Sequence, residues 1–365
     1  MNAEWANIRN VLVMRLDNIG DVVMTGPVLR AIREALPDAC LTLMTSPGGA
    51  AAVPLLPWVD ETFAWRAMWQ QLGGGTCDPA REEELIGTLR ERHFDAAVLL
   101  TSFSQTPHPP ALACLLAGIP LRLGESKECA PGLLTHEPPS PTPEAEHQVE
   151  RNLRLLETVG FPVRNRALEV HIPGEAQRQA TQLMPSPYLL LNPFASCSAR
   201  TYPPERAGRA ARLIAQQTGL KVAVTGVEKD RERCQDLLAE LGEHGVDLLG
   251  GTDLPTFAAL IAGARLVMTN NTSALHLADA TRTPVLVTYS GTDYESQWRP
   301  RSAPARLLRR PTPCHPCYAF QCPYHLECLD IPPEEVAGAG LALLVEVAGG
   351  ARRSRVIHKV RTRTW

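Results

Sequence analysis

Two carboxylates and a guanidinium lie on one short loop near the start of the chain. The apolar run VLVM at 11–14 is bounded by polar residues, which is typical of a single buried strand. Arg15, Asp17, Gly20 and Asp21 follow it closely. In a sheet covered by helices on both faces, ligands bind beyond the carboxyl ends of the strands. Asp21 can therefore act as a general base or, more simply on these residues alone, cap the next helix by accepting from its free amides.

A second polar turn follows a strand in the later half of the chain. The apolar run 266–269 predicts a strand, and Asn271, Thr272 and Ser273 then begin a helix that contains His276. A helix start offers free amides and a positive dipole end to a phosphate, and His276 lies about one turn further on, where it can face the same anion. An ordinary capped helix with a half-buried histidine fits these residues as well, because no Gly-rich phosphate-binding fingerprint is present.

Two further loops of this half carry groups that suit a nucleotide. Ser196 and Arg200 follow a predicted strand, and a hydroxyl with a guanidinium suits a diphosphate. Glu228 and Asp230 follow the next strand, where an acid can accept from a ribose hydroxyl. Surface loops with ordinary turn residues remain the alternative explanation for both pairs.

Four of the ten cysteines cluster near the end of the chain, at Cys314, Cys317, Cys322 and Cys328. Their spacing is compatible with a structural zinc site. A redox-active CxxC is disfavoured, because no thioredoxin-like βαβ pattern surrounds it. Structural zinc, a disulfide pair and free thiols stay open as alternatives, and each assigns the cluster a structural role before the last helix.

The elements that must position these residues alternate between strands and helices, which implies crossover units and a parallel sheet. The alternation runs twice, and a proline-bearing segment at 160–187 separates the two series. Because 365 residues are also many for one core, the sequence predicts two Rossmann-like domains, over 1–175 and 176–348. A basic tail at 349–365 follows the last helix.

Charge and hydropathy restrict the classes of function. A net charge of −3 gives no case for nucleic-acid binding. No apolar run is long enough to span a bilayer, and the first residues lack the apolar core of a signal peptide, so we expect a cytoplasmic protein. The basic tail and the arginines between 299 and 310 are either solvated charge or a surface attracted to anionic membranes.

Taken together, the motifs resemble glycosyltransferase family 9, the heptosyltransferases that build the inner core of lipopolysaccharide. The resemblance covers nearly the whole chain. Its blocks are VLVMRLDNIGDVVMTGPVLRAIREALPDA at 11–39, AGIPLRLGE at 117–125, EHQVERNLRLLETVG at 146–160, NPFASCSARTYPPERAGRAARLI at 192–214, VTGVEKDRER at 224–233 and GARLVMTNNTSALHLADATRTPVLVTYSGTD at 263–293. CHPC with the later cysteines, and IPPEEV at 331–336, resemble a cysteine-bearing C-terminal segment found in part of the family.

The resemblance implies a GT-B fold, in which two doubly wound domains face each other across a central cleft with acceptor on the first and donor on the second. It implies inverting transfer of heptose from ADP-heptose to a lipopolysaccharide-core or related surface-glycan acceptor, without a catalytic metal or other required cofactor. With a lipid-linked acceptor, the enzyme would associate peripherally with the cytoplasmic side of the inner membrane.

The resemblance also implies roles for single residues. The Asp of the family's Gly-Asp pair is the catalytic base, and here it is Asp21. Arg15, Asp17 and Gly20 become candidates for the acceptor side. The donor candidates are Ser196, Arg200, Glu228, Asp230, Asn271, Thr272, Ser273 and His276.

The donor turn departs from the family pattern. The family usually has Asp-Thr-Gly where this chain has Asn271, Thr272 and Ser273, and commonly Lys where it has Arg200. Asn271 keeps a hydrogen-bonding amide without the negative charge, and Ser273 narrows the room for a close approach of the backbone to a diphosphate. Two alternatives follow from this departure: a transferase that uses another sugar nucleotide, and a non-catalytic nucleotide-sugar-binding protein of the same fold.

Overall fold

The computed structural model describes residues 1–70, 78–128, 130–140 and 146–361, with side chains described through residue 349. The chain divides into two compact units. The first unit holds residues 1–171 together with 296–299, and the second holds 172–295 and the residues from Pro300 onwards. Each unit contains one parallel sheet.

The first unit is a five-stranded α/β domain. Its strands are β1 Asn10–Arg15, β2 Cys40–Thr45, β3 Glu61–Ala64, β4 Ala96–Leu99 and β5 Leu121–Gly124. Its helices are α1 Ile19–Val23, α2 Gly26–Ala35, α3 Pro79–Glu91, α4 His108–Leu116 and α5 Gln148–Thr158. The strand order β3-β2-β1-β4-β5 reverses direction at β1. The loops that follow β1 and β4 therefore flank a topological switch point, where ligands of such sheets bind.

The centre of this sheet follows from its sequence. β1 is paired on both sides, with Val13 opposite Leu43 of β2 and opposite Val98 of β4. A parallel strand covered on both faces is apolar on both faces, and residues 11–14 are all buried. The helix that follows carries Pro27 in its first turn, where no backbone N–H is needed, and buries Leu29 against the sheet.

The second unit is a six-stranded domain of the same kind. Its strands are β6 Tyr188–Asn192, β7 Lys221–Val224, β8 Gly245–Asp247, β9 Leu266–Thr269, β10 Val285–Thr288 and β11 Ala305–Leu308. Its helices are α6 Gly174–Leu183, α7 Pro204–Thr218, α8 Gln235–Leu241, α9 Leu254–Gly263, α10 Ser273–Thr281 and α12 Pro333–Arg361, while α11 Glu295–Trp298 lies where the chain passes into the first unit. The order β11-β10-β9-β6-β7-β8 reverses at β6, so β6 and β9 flank the second switch point.

The structure differs from the sequence-based prediction at three places. α6 lies inside the segment expected to be the domain boundary, because Pro173 and Pro185 bracket the helix and do not interrupt it. β11 extends the second sheet within the basic run. α12 continues through Arg361, so the backbone of most of the predicted basic tail is helical. Residues 362–365 lie outside the described part. Among the described residues, no helix combines the length and the apolarity needed to cross a bilayer.

Candidate active site

The loops that follow β1 and β4 meet at the first switch point. The guanidinium of Arg15, the last residue of β1, donates from Nη2 to Ser102 Oγ at 2.7 Å. Gln105 Nε2 donates to Asp17 Oδ1 at 2.5 Å. Sequence reasoning missed Ser102 and Gln105, and their only signal was their place directly after a buried strand. The contacts tie both loops into one polar cluster.

Arg15 lies at the centre of this cluster. Its side chain is 0% exposed, with Nε 2.9 Å from Asp17 Oδ2 and Nη2 2.8 Å from Asp21 Oδ1. One guanidinium thus pairs with both carboxylates that the sequence singled out. In this structure the fully buried guanidinium contacts the two carboxylates. The expected role of Arg15 on the acceptor side stays a prediction.

Asp21 has two internal contacts and remains partly accessible. It is the third residue of α1, and its Oδ2 accepts from the backbone N–H of Asn18 at 3.3 Å. That hydrogen bond is the capping interaction considered from the sequence. Because its side chain is 15% exposed while Arg15 holds Oδ1, the same carboxylate both caps the helix and faces the surface. Gly20, the preceding residue, is buried within α1.

Asp17 is more deeply enclosed than Asp21. Burial raises the pKa of its carboxyl group; Arg15 opposes this rise, the charge of Asp21 adds to it, and the hydrogen bond from Gln105 opposes it. The Asp17 carbonyl also accepts from Ser46 Oγ at 2.7 Å. These contacts give Asp17 the task of fixing the loop.

Gly49 allows the β2 loop to approach this cluster. Its backbone N–H donates to Ser46 Oγ at 2.9 Å. A Cβ at Gly49 would lie 2.9 Å from Val22 Cγ2 and 3.1 Å from the Asp17 carbonyl oxygen. A larger residue at this position therefore fits only if the Val22 side chain or the Asp17 loop shifts.

In the second unit, Asn270 joins the loops at the second switch point. Its Oδ1 accepts from Tyr202 N at 3.0 Å and from Thr288 Oγ1 at 2.9 Å, and its Nδ2 donates to the Pro193 carbonyl at 2.8 Å. This buried side chain was not among the predicted site residues, although it ends the apolar run of β9. It fixes the loop after β6 against the start of the donor turn.

The predicted donor turn begins α10. Thr272 caps the helix by accepting from Ala274 N at 3.3 Å, and Ser273 is the first helical residue and is half-buried. Asn271 Nδ2 donates to the Tyr289 hydroxyl at 3.2 Å. The amide that replaces the family's carboxylate therefore has a partner on the strand-end loop after β10.

His276 lies further along α10 and is only 6% exposed. Burial lowers its pKa from 6.5 to about 4, so the imidazole is neutral at pH 7. A neutral ring can take part in a hydrogen bond but brings no positive charge to a phosphate. The attraction for an anion at this turn must then come from the helix start.

Replacing His276 with Gln should reduce the loss of unfolding free energy that occurs as pH falls below 6.5. In the folded state the pKa of His276 lies below its unfolded value, so the unfolded state binds the proton first. Stability is therefore lost as pH falls from 6.5 to about 4, at roughly 1.4 kcal/mol per pH unit. Urea unfolding followed by circular dichroism between pH 7 and 4 measures this slope. The exposed His325→Gln variant should keep the wild-type slope, and an equally steep slope in His276→Gln would contradict the prediction.

Arg200 is held by the turn after β10. Its Nη2 lies 2.9 Å from Asp293 Oδ2, and its Nε donates to Thr292 Oγ1 at 3.2 Å. The Arg200 side chain is 28% exposed, whereas Asp293 is buried. Asp293 was not predicted as a site residue, although it ends a block that resembles the family.

The remaining donor candidates differ in accessibility. Ser196 is exposed on the loop after β6. Glu228 is exposed after β7, and a hydrogen bond from Arg231 lowers the pKa of its carboxyl group. Asp230 is buried and pairs with Arg233 at 3.2 Å, and its expected contact with the donor stays a prediction. Glu228 thus keeps the exposed position that contact with a ribose requires.

The cysteine cluster lies in the second unit, within the described part of the chain. The side chains of Cys314, Cys317, Cys322 and Cys328 are free thiols. Within the described ranges, no three His, Cys, Asp or Glu side chains are placed to hold a metal ion. Cys317 is exposed, and Cys314 Sγ contacts Thr312 Oγ1 at 3.5 Å. The structural zinc alternative stays a prediction.

Comparison with known proteins identifies the family. The model of glycosyltransferase family 9 (heptosyltransferase) matches residues 83–327. Lipopolysaccharide heptosyltransferase 2 of Escherichia coli K12 is 26% identical over 357 residues, which cover 92% of this chain and 99% of that protein.

Solved structures share the fold. The E. coli ADP-heptose lipopolysaccharide heptosyltransferase II has a TM-score of 0.72 at 23% identity, covering 93% of this chain and 99% of the other. A family 9 glycosyltransferase from Veillonella parvula has a TM-score of 0.75 at 18% identity, covering 94% and 99%. The predicted GT-B class, with two Rossmann-like domains, is confirmed. Because the family model spans more than half of its length, this chain belongs to glycosyltransferase family 9 and is a glycosyltransferase.

Proposed function

We propose that the protein transfers heptose from ADP-heptose to a lipopolysaccharide-core or related surface-glycan acceptor, with inversion and without a metal ion. The names of its relatives support this donor and this class of acceptor. The single observation that carries the mechanism is the Asp21 carboxylate, which is partly exposed at a strand-end switch point and held there by Arg15.

Asp21 is the general base of the proposed reaction. The acceptor hydroxyl oxygen attacks the anomeric carbon while the bond from that carbon to the diphosphate oxygen breaks, which inverts the configuration. Asp21 takes the hydroxyl proton, and ADP leaves with the bonding electron pair. A well-placed general base contributes about 10²- to 10⁴-fold to the rate. Arg15 and Asp17 act by fixing this carboxylate, and Gly20 provides its helical turn.

The second unit binds the nucleotide. Arg200, Ser196 and the Thr272–Ser273 start of α10 stabilise the charge of the leaving diphosphate with a guanidinium, a hydroxyl and free amides. Glu228 accepts from the ribose. Asn271 and the neutral His276 contribute hydrogen bonds, and Asp230 supports the loop. The basic residues near the end of the chain attract the anionic membrane surface that carries the acceptor, at the cytoplasmic side of the inner membrane.

The test is release of ADP from ADP-heptose with and without a heptose-deficient lipopolysaccharide core, in buffer containing EDTA. We expect release that depends on the acceptor and is unaffected by EDTA. Other nucleotide sugars, offered in parallel, should release their nucleotide more slowly. Tight binding of ADP-heptose without release under any acceptor condition would contradict the proposal and indicate a nucleotide-sugar-binding protein.

A further inference from the structure

We propose that the cysteine-bearing segment 312–328 is a positioning element for the diphosphate site, because it holds from two sides the loops that Arg200 and Asp293 join. The inference rests on the proposed function, since it takes Arg200 to bind the diphosphate of the donor. It assigns a task to the segment that carries the four clustered cysteines.

The segment first contacts the turn that carries Asp293. The backbone N–H of Cys317 donates to the Gly291 carbonyl at 3.0 Å, and that of Tyr318 donates to the Thr292 carbonyl at 2.9 Å. His315 Nδ1 lies 3.2 Å from the same Gly291 carbonyl. These two backbone hydrogen bonds and the His315 contact fix the backbone of the turn. They thereby set the direction of the Thr292 and Asp293 side chains.

The segment also contacts the loop that carries Arg200. The carbonyl of Phe320 accepts from Ala199 N at 3.2 Å and from Ser198 Oγ at 3.4 Å. Both donors lie within two residues of Arg200. The same short stretch of chain therefore sets the position of both partners of the ion pair.

The ion pair occupies only part of the Arg200 guanidinium, and one of its nitrogens remains for a ligand. Thr292 Oγ1 accepts from Arg200 Nε and donates to Asp293 Oδ2 at 2.7 Å, so the hydroxyl links the two charged groups. Asp293 holds Nη2. Within the part of the chain that the structure describes, the hydrogen bonds and ion pairs of Arg200 use Nε and Nη2. Nη1 of this side chain, which is 28% exposed as a whole, is left for an anion.

One of the four cysteines, Cys328, packs against the turn that carries Asp293. A Cβ at Gly291 would lie 3.4 Å from Cys328 Cβ and 3.7 Å from Cys328 Sγ, so this cysteine lies in van der Waals range of the turn. Burial raises the pKa of the Cys328 thiol, which keeps it neutral beside Gly291. Cys328 thus serves as a small packing residue beside the turn that carries Asp293.

The test measures ADP affinity by calorimetry and steady-state kinetics in full-length variants. Thr292→Val keeps the charge and shape of the turn but removes the hydroxyl that links Arg200 to Asp293. We expect its Kd for ADP and its KM for the donor to rise about tenfold, the effect of one hydrogen bond to a charged group, while kcat changes less. Thr292→Ser should restore affinity, which a general loss of packing would not allow.

A histidine pair tests the segment itself. His315→Ala removes the contact with Gly291 and should weaken ADP binding a few-fold, about the effect of one neutral hydrogen bond. His325→Ala alters an exposed histidine of the same segment and should leave the Kd unchanged. Wild-type affinity in both Thr292→Val and His315→Ala, with affinity lost in Arg200→Ala, would overturn this inference alone. Wild-type affinity in Arg200→Ala would overturn the proposed donor site as well.

Discussion

Replacing Asp21 with Asn is expected to lower the rate of sugar transfer by about 10²- to 10⁴-fold while leaving the Kd for ADP nearly unchanged. Asn fills the same space and can still accept from the Asn18 N–H, so α1 keeps its cap. It cannot take a proton from the acceptor hydroxyl at neutral pH. The loss should therefore appear in kcat, measured as acceptor-dependent ADP release.

Two further variants separate catalysis from structure. Asp38→Asn changes an exposed acid of the same unit and should be fully active. Asp21→Ala removes the cap as well as the base, so its melting temperature should fall below that of Asp21→Asn. Near-wild-type turnover in Asp21→Asn would exclude this carboxylate as the base and leave the donor site unaffected.

Replacing Arg15 with Met should lower the free energy of unfolding of the first unit by about 3–5 kcal/mol at pH 7. The change leaves the enclosed Asp17 carboxylate, and part of Asp21, without their cation. Asp17 already has a raised pKa because of burial, and Arg15 is the main influence that opposes the rise. Without Arg15 this pKa rises further.

The loss of unfolding free energy in Arg15→Met should decrease as pH falls. A carboxyl group whose folded pKa lies above its unfolded value binds a proton more readily when folded, so the deficit is largest at neutral pH. It shrinks as pH falls through the raised pKa of Asp17. Arg15→Met should thus be less destabilised at pH 5 than at pH 7.

Tryptophan fluorescence in urea measures this effect in the first unit. Five of the six tryptophans belong to that unit: Trp5, Trp58, Trp65, Trp69 and Trp298. Arg9→Met, which removes an exposed arginine 3.9 Å from Asp38, should change stability by less than about 1 kcal/mol. The double variant Arg15→Met/Asp17→Asn should recover part of the loss. An equal deficit at pH 5 and pH 7 would show that lost packing, and not the unpaired carboxylates, causes the effect.

The sequence predicted the scaffold of each site better than its contacts. The apolar run at 11–14 has the pattern of a buried parallel strand, and the polar residues after it had to lie at a sheet edge. The contact between Arg15 and Ser102 joins residues 87 positions apart, through two strands that become neighbours only in the folded sheet. No local pattern encodes such a pairing, so Ser102 and Gln105 were missed.

The burial of charged side chains also limited what could be predicted from the sequence. An arginine at a strand end is usually assigned to the surface, because an isolated buried charge is costly. Arg15 is enclosed because two carboxylates compensate it, and that compensation is visible only in three dimensions. Asp293 is likewise a buried charge whose partner is visible only in the folded structure, because Arg200 is 93 residues away in the sequence. It was therefore missed. The cysteine spacing left three alternatives open because spacing alone does not fix where each sulfur points.

The first unit is completed by a short piece of chain from far along the sequence. Residues 296–299 belong to it, with the Trp298 ring packed edge-on against Phe103 at 6.3 Å between centroids. The Arg299 carbonyl lies 3.0 Å from His147 Nε2. A chimera that exchanges the first unit between family members at a single junction near residue 171 would separate residues 296–299 from the rest of that unit. Exchanging the whole first unit of this chain thus takes three crossovers, at 171/172, 295/296 and 299/300, so that residues 296–299 are inherited with residues 1–171.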